Sequence, residues 1–201
     1  AGEADFDLPS IVQSLRAARE QWRRGQQRHP EVGGRELPSR DALSTIVEGL
    51  RGALFPMRLG PPDLRPESED FYVGHTLNAV LHALLGQVRL ELRHAARLEN
   101  TGAPLEERAH AIVREFGATL PRIRTLLDSD VLAAFHGDPA ARSVDEVLLC
   151  YPGIQAMIHH RLAHTLYSLG VPLLARLVAE LAHGATGIDI HPGATIGPGF
   201  F

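Results

Sequence analysis

The chain has 201 residues, of which 44% are hydrophobic and 22% are charged, so it is long and apolar enough to bury an ordinary globular core. Its formal net charge is −4, and all 20 of its basic residues are arginine. The absence of lysine excludes P-loop nucleotide binding, protein kinase activity and Schiff-base catalysis, since each of them needs a lysine amine. A weakly acidic chain without a basic stripe also argues against nucleic-acid binding.

Cysteine usage and the N-terminal composition bear on the cellular compartment. Cys150 is the single cysteine, so the sequence offers neither an intrachain disulfide nor a cysteine set for structural zinc. It ends an apolar run and is predicted to be a small buried hydrophobic residue rather than a nucleophile. The first ten residues are acidic rather than basic, and no apolar run approaches the roughly 18 residues of a membrane span. We therefore expect a cytoplasmic protein without a membrane segment.

Apolar residues recur every three or four positions through most of the chain, and this spacing predicts helices separated by proline and glycine. Ser10 and Ser39 are the expected caps of the first two helices. The firmest helix is predicted over residues 70–98. Pro121 is expected to kink or restart the helix after that one.

The second half of the chain continues the helical pattern. A capping box at residues 143–146 precedes another short apolar run, and a last helix is predicted from Pro172 to about Leu181. The sequence therefore predicts an all-helical domain over residues 1–183, with residues 1–9 disordered.

The composition changes at Gly184, because the remaining stretch is too rich in glycine and proline for a helix. Ile190 and Ile196 lie six residues apart, and small Ala194 follows Ile190 by four. A six-residue period with an aliphatic corner is typical of a parallel β-helix. Two repeats alone leave a glycine-rich tail as an equal alternative.

Four sequence blocks in the second half resemble the serine O-acetyltransferases, which are hexapeptide-repeat acyltransferases. The order and separation of the blocks also match that family, and weaker similarity extends upstream through residues 50–56 and 70–77. The four blocks are Asp-Pro-Ala at 138–140, Tyr-Pro-Gly-Ile-Gln-Ala at 151–156, His-Arg-Leu-Ala-His at 160–164 and Asp-Ile-His-Pro-Gly-Ala-Thr-Ile-Gly at 189–197.

The resemblance implies a mainly α fold in which the helical domain is followed by the start of a left-handed parallel β-helix. Residues 184–201 would form the first hexapeptide coil. The implied reaction transfers acetyl from acetyl-CoA to L-serine, giving O-acetylserine in cysteine biosynthesis, with acetyl-CoA as co-substrate and no bound cofactor. The family also implies a homo-oligomer, a trimer or a dimer of trimers, with O-acetylserine sulfhydrylase as a partner.

The resemblance assigns roles to two carboxylates. A serine hydroxyl is a weak nucleophile at neutral pH, so a histidine must take its proton, and a carboxylate orients that histidine. Asp189 matches the orienting carboxylate, and Asp138 matches the acid that binds the substrate ammonium group. The family's catalytic histidine follows a few residues after the Ile-Gly block. The 201 residues end at Phe201, before such a histidine is reached. We therefore expect the 201-residue chain to be inactive alone.

The histidines near the third block have a second interpretation. His160 and His164 are four residues apart and could place two metal ligands on one helical face. No third ligand accompanies them, so no metal site is predicted, and Arg161 and His164 are interpreted as packing or interface residues. His159 is expected in solvent or at an interface, and His191 is interpreted as structural.

Two other functions remain open at the level of the sequence. The helical part could be an oligomerisation module of the same enzyme, because long amphipathic helices can bury a second apolar face against another subunit. The chain could also belong to a different hexapeptide-repeat acyltransferase, which acts on a sugar or another amine.

Overall fold

Helices account for most of the described residues, which are 6–25, 37–99 and 104–201 of the computed structural model. The predicted mainly helical class is confirmed, and the described residues contain no strand. Within the same ranges, no helix combines the length and the apolar character that a membrane span requires. The elements are α1 (Leu8–Gly25), α2 (Arg40–Leu54), α3 (Pro56–Leu59), a 3-10 helix (Pro66–Ser68), α4 (Glu69–Glu99), α5 (Leu105–Gly137), α6 (Val144–Cys150), α7 (Pro152–Ser168) and α8 (Pro172–Thr186).

Helix α1 begins earlier than the sequence pattern predicted. It starts at Leu8, so Ser10 is not its cap, and the last two of residues 1–9 are helical rather than disordered. Pro9 suits this first turn, because a proline has no backbone N–H to leave unpaired and its φ angle is already helical. Residues 1–5 lie outside the described residues.

Every helix after α1 belongs to one compact unit, residues 37–201, while α1 belongs to a separate unit. In the larger unit α2 packs on α4, α4 on α5, and α7 on both α5 and α8. The predicted helix over residues 70–98 is α4, whose Leu84 and Leu92 are buried on the face that the helical period predicts. Pro121 lies inside α5, which continues past it without a restart.

Two predicted helix caps are confirmed. The Ser39 hydroxyl accepts a hydrogen bond from the Ala42 N–H at 3.3 Å and begins α2. The Ser143 hydroxyl accepts one from the Glu146 N–H at 3.0 Å and begins α6. The Glu146 carboxylate in turn accepts from the Arg142 N–H at 2.7 Å, one residue before the usual capping-box partner.

Helix α8 extends further than predicted. It ends at Thr186 rather than at about Leu181, and the glycine at position 184 lies within its last turn. The residue that stops the helix is Gly187, which has a φ angle of 74° and donates its N–H to the His183 carbonyl at 2.8 Å. Glycine is favoured at this position because the left-handed conformation costs it nothing.

The start of α8 is capped by a side chain from a distant helix. Glu91 of α4 is buried, and its carboxylate accepts hydrogen bonds from the N–H groups of Leu173 and Leu174, both at 2.8 Å. These groups are among the donors that the first turn of a helix leaves unpaired. Burial raises the pKa of Glu91, and the two N–H groups oppose that rise.

Replacing Glu91→Ala is expected to lower the free energy of unfolding by about 1–3 kcal/mol, because it leaves two N–H donors of α8 without an acceptor. Urea unfolding followed by circular dichroism at pH 7 measures this loss. The control is Glu115→Ala, which changes an exposed side chain on α5 and should stay within about 0.5 kcal/mol of the unmodified chain. Equal stability of the two variants would contradict the capping role of Glu91.

Candidate active site

Asp138 lies directly after α5, and both of its carboxylate oxygens are engaged. Its Oδ1 accepts a hydrogen bond from the Ala140 N–H at 2.9 Å, and its Oδ2 accepts one from the Tyr151 hydroxyl at 2.6 Å. Tyr151 lies between α6 and α7, so the contact joins the ends of three helices. The first carboxylate predicted from the sequence is thus held in one orientation.

The hydrogen bonds to Asp138 come from neutral groups. The Tyr151 hydroxyl and then the Ala140 N–H hold the pKa of Asp138 below its ordinary value. The same bond to Asp138 raises the pKa of Tyr151 to about 12, so the phenol stays protonated at neutral pH. None of the ion pairs among the described residues includes Asp138, and the side chain is partly exposed. It therefore presents an uncompensated negative charge to solvent.

An aspartate within α5 has the opposite environment. Asp130 is fully buried and forms a two-point ion pair with Arg161 of α7, with N–O distances of 3.0 Å and 2.9 Å. Arg161 also donates to the carbonyls of Ile196 and Gly197, each at 2.7 Å. The buried pair of Arg161 and Asp130, which we call the clamp, holds the C-terminal segment against α5 and α7.

Further hydrogen bonds secure the same segment. The Phe200 N–H donates to Asp130 Oδ1 at 3.0 Å, and the Gly199 N–H donates to the Ser129 hydroxyl at 3.0 Å. The predicted packing role of Arg161 is confirmed by these contacts. Asp130 was not predicted from the sequence. The signal that could have indicated it is the arginine in an apolar stretch of α7, because a buried arginine requires a buried acid as its partner.

Two histidines fix the stretch that follows α8. His164 of α7 donates its Nδ1 hydrogen to the Pro192 carbonyl at 2.8 Å, in agreement with its predicted packing role. His191 packs edge-on against the Tyr167 ring, with ring centroids 5.7 Å apart, and its Nδ1 accepts from the Gly193 N–H at 3.1 Å. These contacts agree with the structural interpretation of His191.

Asp189, the second predicted carboxylate, lies on this stretch and is exposed. Its neighbours Ile188 and Ile190 are partly buried and line a small cavity between α7 and α8. The hydrogen bonds that hold Asp138 do not involve Asp189. The structure therefore places the two carboxylates on separate elements, with the side chain of Asp189 in solvent.

His160 of α7 also lines that cavity. It is 3% exposed, and its Nδ1 is buried without a hydrogen-bond partner. Burial, with contributions from His164 and Arg161, lowers the pKa of His160 to about 4, so the ring is neutral at pH 7. No group of three or more histidine, cysteine or acidic side chains in metal-binding proximity occurs within the described ranges.

Two predictions about side-chain burial were wrong. Cys150 is exposed rather than buried, because it occupies the last residue of α6, whose core contacts come from Val147 and Leu148. His159 is 4% exposed rather than in solvent. It donates its Nδ1 hydrogen to the Gln155 carbonyl at 2.8 Å, which satisfies a ring nitrogen inside the protein.

Comparisons with known proteins agree on one kind of enzyme. The chain is 52% identical over 169 residues to a plasmid-encoded serine acetyltransferase of Synechococcus elongatus. It is a homologue of serine acetyltransferases. A serine acetyltransferase of Synechocystis sp. is 55% identical over 75 residues. No protein-family model matches the sequence.

The solved structures that resemble this chain include serine acetyltransferases. Serine acetyltransferase isoform 3 of Entamoeba histolytica, in complex with cysteine, matches with a TM-score of 0.66 and 28% identity over 87% of this chain. Serine acetyltransferase 1 of the same organism, in complex with L-cysteine, matches with a TM-score of 0.62 and 31% identity over 77% of this chain. The helical fold is therefore shared with these acetyltransferases.

The chain spans only part of the length of its relatives. The matched residues are 82% of this chain and 53% of the Synechococcus elongatus protein, and 37% of this chain and 30% of the Synechocystis protein. The two Entamoeba structures are covered over 54% and 52% of their chains. The chain thus spans about half the length, or less, of the relatives it matches.

Breaking the clamp is expected to destabilise the acetyltransferase homologue strongly. Arg161→Met should lower the free energy of unfolding by about 3–5 kcal/mol, because Asp130 would keep a buried charge without its counter-ion. The control, Arg176→Met, breaks an exposed pair with Glu180 and should cost about 1 kcal/mol or less. Urea unfolding compares the two variants, and similar losses in both would contradict a stabilising clamp.

The stability of the homologue is expected to fall as the pH drops from about 6.5 to about 4. In this window unfolded His160 binds a proton and the folded residue, with its pKa of about 4, does not. Its contribution is therefore complete above the unfolded pKa and declines as the pH falls. Urea midpoints at pH 7, 6 and 5 measure the slope, which should be shallower in His160→Gln.

The pKa of His159 is also lowered, and His159 is present in both the unmodified chain and His160→Gln. The difference between their slopes of stability against pH therefore isolates His160. Titration of the histidine ring signals by NMR in the unmodified chain gives a second measurement. A His160 ring that becomes protonated near pH 6.5 would contradict the prediction.

Proposed function

We propose that these 201 residues are the helical part of a serine O-acetyltransferase together with the first coil of its β-helix. The enzyme transfers an acetyl group from acetyl-CoA to the hydroxyl of L-serine, and O-acetylserine and CoA are the products, in cysteine biosynthesis. The 52% identity to the Synechococcus elongatus serine acetyltransferase carries this proposal. Because the match covers about half of that relative, the activity, substrates and partners are assigned to the longer protein.

Asp138 is assigned to the ammonium group of L-serine. Its charge is balanced by no cation among the described residues, and its two hydrogen bonds leave other lone pairs on both oxygens free. An ammonium group on such a carboxylate forms charge-assisted hydrogen bonds, which favour an amino acid over a simple alcohol. Asp130 cannot take this role, because Arg161 already neutralises it inside the protein.

We assign Asp189 the role of orienting the histidine that acts as general base. We place that histidine after residue 201. The histidine takes the proton of the serine hydroxyl while the oxygen attacks the thioester carbonyl carbon of acetyl-CoA. The C–S bond then breaks, and the CoA sulfur leaves with the proton. A carboxylate beside the ring holds its tautomer and stabilises the imidazolium that forms during the attack. The exposed side chain of Asp189 is free to take such a partner.

We further propose that a helical domain is followed by the start of a left-handed parallel β-helix, with the boundary after the end of α8 at Thr186 rather than after residue 183, and with α1 in a separate unit. The clamp supports this division, because it fixes two backbone carbonyls of the C-terminal segment on α7. Assembly as a homo-oligomer and an association with O-acetylserine sulfhydrylase follow from the family resemblance, and a cytoplasmic location is proposed from the cysteine usage of the sequence.

A fusion protein tests the proposed reaction. It joins residues 1–201 to the part of the Synechococcus elongatus relative that follows the matched stretch. The fusion is expected to release CoA from acetyl-CoA only when L-serine is present, and the 201-residue chain alone is expected to release none. A thiol-reactive dye measures the release. A folded fusion that ignores L-serine, or that prefers a sugar or another amine, would contradict the proposal.

Two substitutions in the fusion separate the proposed roles. Asp138→Asn should raise the KM for L-serine at least about tenfold, since it removes the charge that binds the ammonium group. Asp189→Asn should lower kcat by about 100-fold or more, as expected for loss of the group that orients a general base. Asp63→Asn, in the exposed connection before α4, is the control and should change neither constant.

A further inference from the structure

The second partner of Asp138 has no role in the reaction described so far. We propose that Tyr151 is a positioning residue, which holds the Asp138 carboxylate in the orientation that receives the substrate ammonium group. This inference rests on the proposed function. It is carried by the 2.6 Å hydrogen bond from the Tyr151 hydroxyl to Asp138 Oδ2 and by the rigid setting of that tyrosine.

The backbone of Tyr151 is fixed on both sides. Its N–H donates to the Val147 carbonyl at 3.1 Å and ends α6, while its carbonyl accepts from the N–H groups of Ile154 and Gln155 at 3.1 Å and 3.2 Å and begins α7. Its ring lies against the Phe201 ring, with centroids 6.2 Å apart. A side chain anchored in this way can hold a carboxylate still, whereas a mobile donor could not.

A neutral donor suits this task better than a cation. An arginine at the position of Tyr151 would neutralise Asp138, as Arg161 neutralises Asp130, and would compete with the incoming ammonium group. The phenol instead supplies a hydrogen bond and leaves the full negative charge available. Holding the carboxylate in advance also reduces the conformational entropy that binding would otherwise cost.

The loss of the phenol has a predictable effect on ionisation. Because the Tyr151 hydrogen bond is the largest cause that lowers the pKa of Asp138, its removal should raise that pKa, while the Ala140 N–H keeps part of the effect. Glu146 and Cys150, both on α6, are the other titratable groups that act on Tyr151. They remain in place in a Tyr151→Phe variant.

The fusion protein with Tyr151→Phe tests the inference. The KM for L-serine should rise about tenfold, in line with the loss of a hydrogen bond to a charged group, while kcat stays within about twofold. The acidic limb of the kcat/KM profile for L-serine should move to higher pH. Tyr72→Phe is the matched control, since Tyr72 lies on α4 and its hydroxyl faces Gly52 rather than Asp138.

Each outcome decides one point. An unchanged KM and an unchanged acidic limb in Tyr151→Phe, beside a raised KM in Asp138→Asn, would overturn the positioning role and leave the proposed function standing. Equal losses in kcat and thermal stability without a shift of the limb would also overturn it, because they indicate a purely structural residue. A fusion that shows no reaction with L-serine would overturn the proposed function together with the inference.

A measurement independent of catalysis uses the 201-residue chain itself. The absorbance of tyrosinate near 295 nm should show one tyrosine that ionises at about pH 12, and Asp138→Asn should bring that ionisation towards the ordinary value of 10.0. An unchanged titration in Asp138→Asn would overturn the contact on which the inference depends, even where Tyr151→Phe does not fold.

Discussion

The buried ion pair of Arg161 and Asp130 joins α5, α7 and the C-terminal segment of this protein. A buried charge pair is stable only when its remaining hydrogen-bonding groups are satisfied. Here the backbone of the C-terminal segment satisfies them, through the carbonyls of Ile196 and Gly197 and the N–H of Phe200. The ion pair and the C-terminal segment therefore stabilise each other. Because the pair joins α5 to α7, it also helps to hold together the two helices beside which Asp138 and Tyr151 lie.

Asp130, within α5, and Asp138, directly after it, have contrasting surroundings. Asp130 lies in an apolar, closed environment. Its charge therefore requires an arginine as counter-ion, and the resulting pair stabilises the fold. Asp138 lies partly in solvent at the end of the same helix, and neutral donors orient it without cancelling its charge. The same functional group thus serves packing at Asp130 and is assigned to binding at Asp138 under the proposed function, and the difference lies in the partners that the surrounding helices supply.

The features that the sequence predicted well are local ones. The period of α4 and the serine caps of α2 and α6 depend on residues within one or two turns of each other. The end of α8 was misplaced because Gly184 resembles a helix breaker, although the residue in the left-handed conformation is Gly187. Asp130 and Tyr151 were not recognised, because each depends on a partner that only the packing of α5, α6 and α7 brings near. Asp138 and Asp189 came from the family resemblance, and the β-helix remains a prediction.

The cap that Glu91 places on α8 has a consequence for how the chain folds. The acceptor for the first N–H groups of this helix lies 82 and 83 residues earlier in the sequence, on α4. Contacts of such long sequence separation form late, because a large loop must close before they contribute any stability. The first turn of α8 is therefore expected to gain the stabilisation of this cap only when α4 and α8 are packed together. The cap thus couples the stability of the helix that leads into the glycine-rich segment to the packing of α4, which is distant in the sequence.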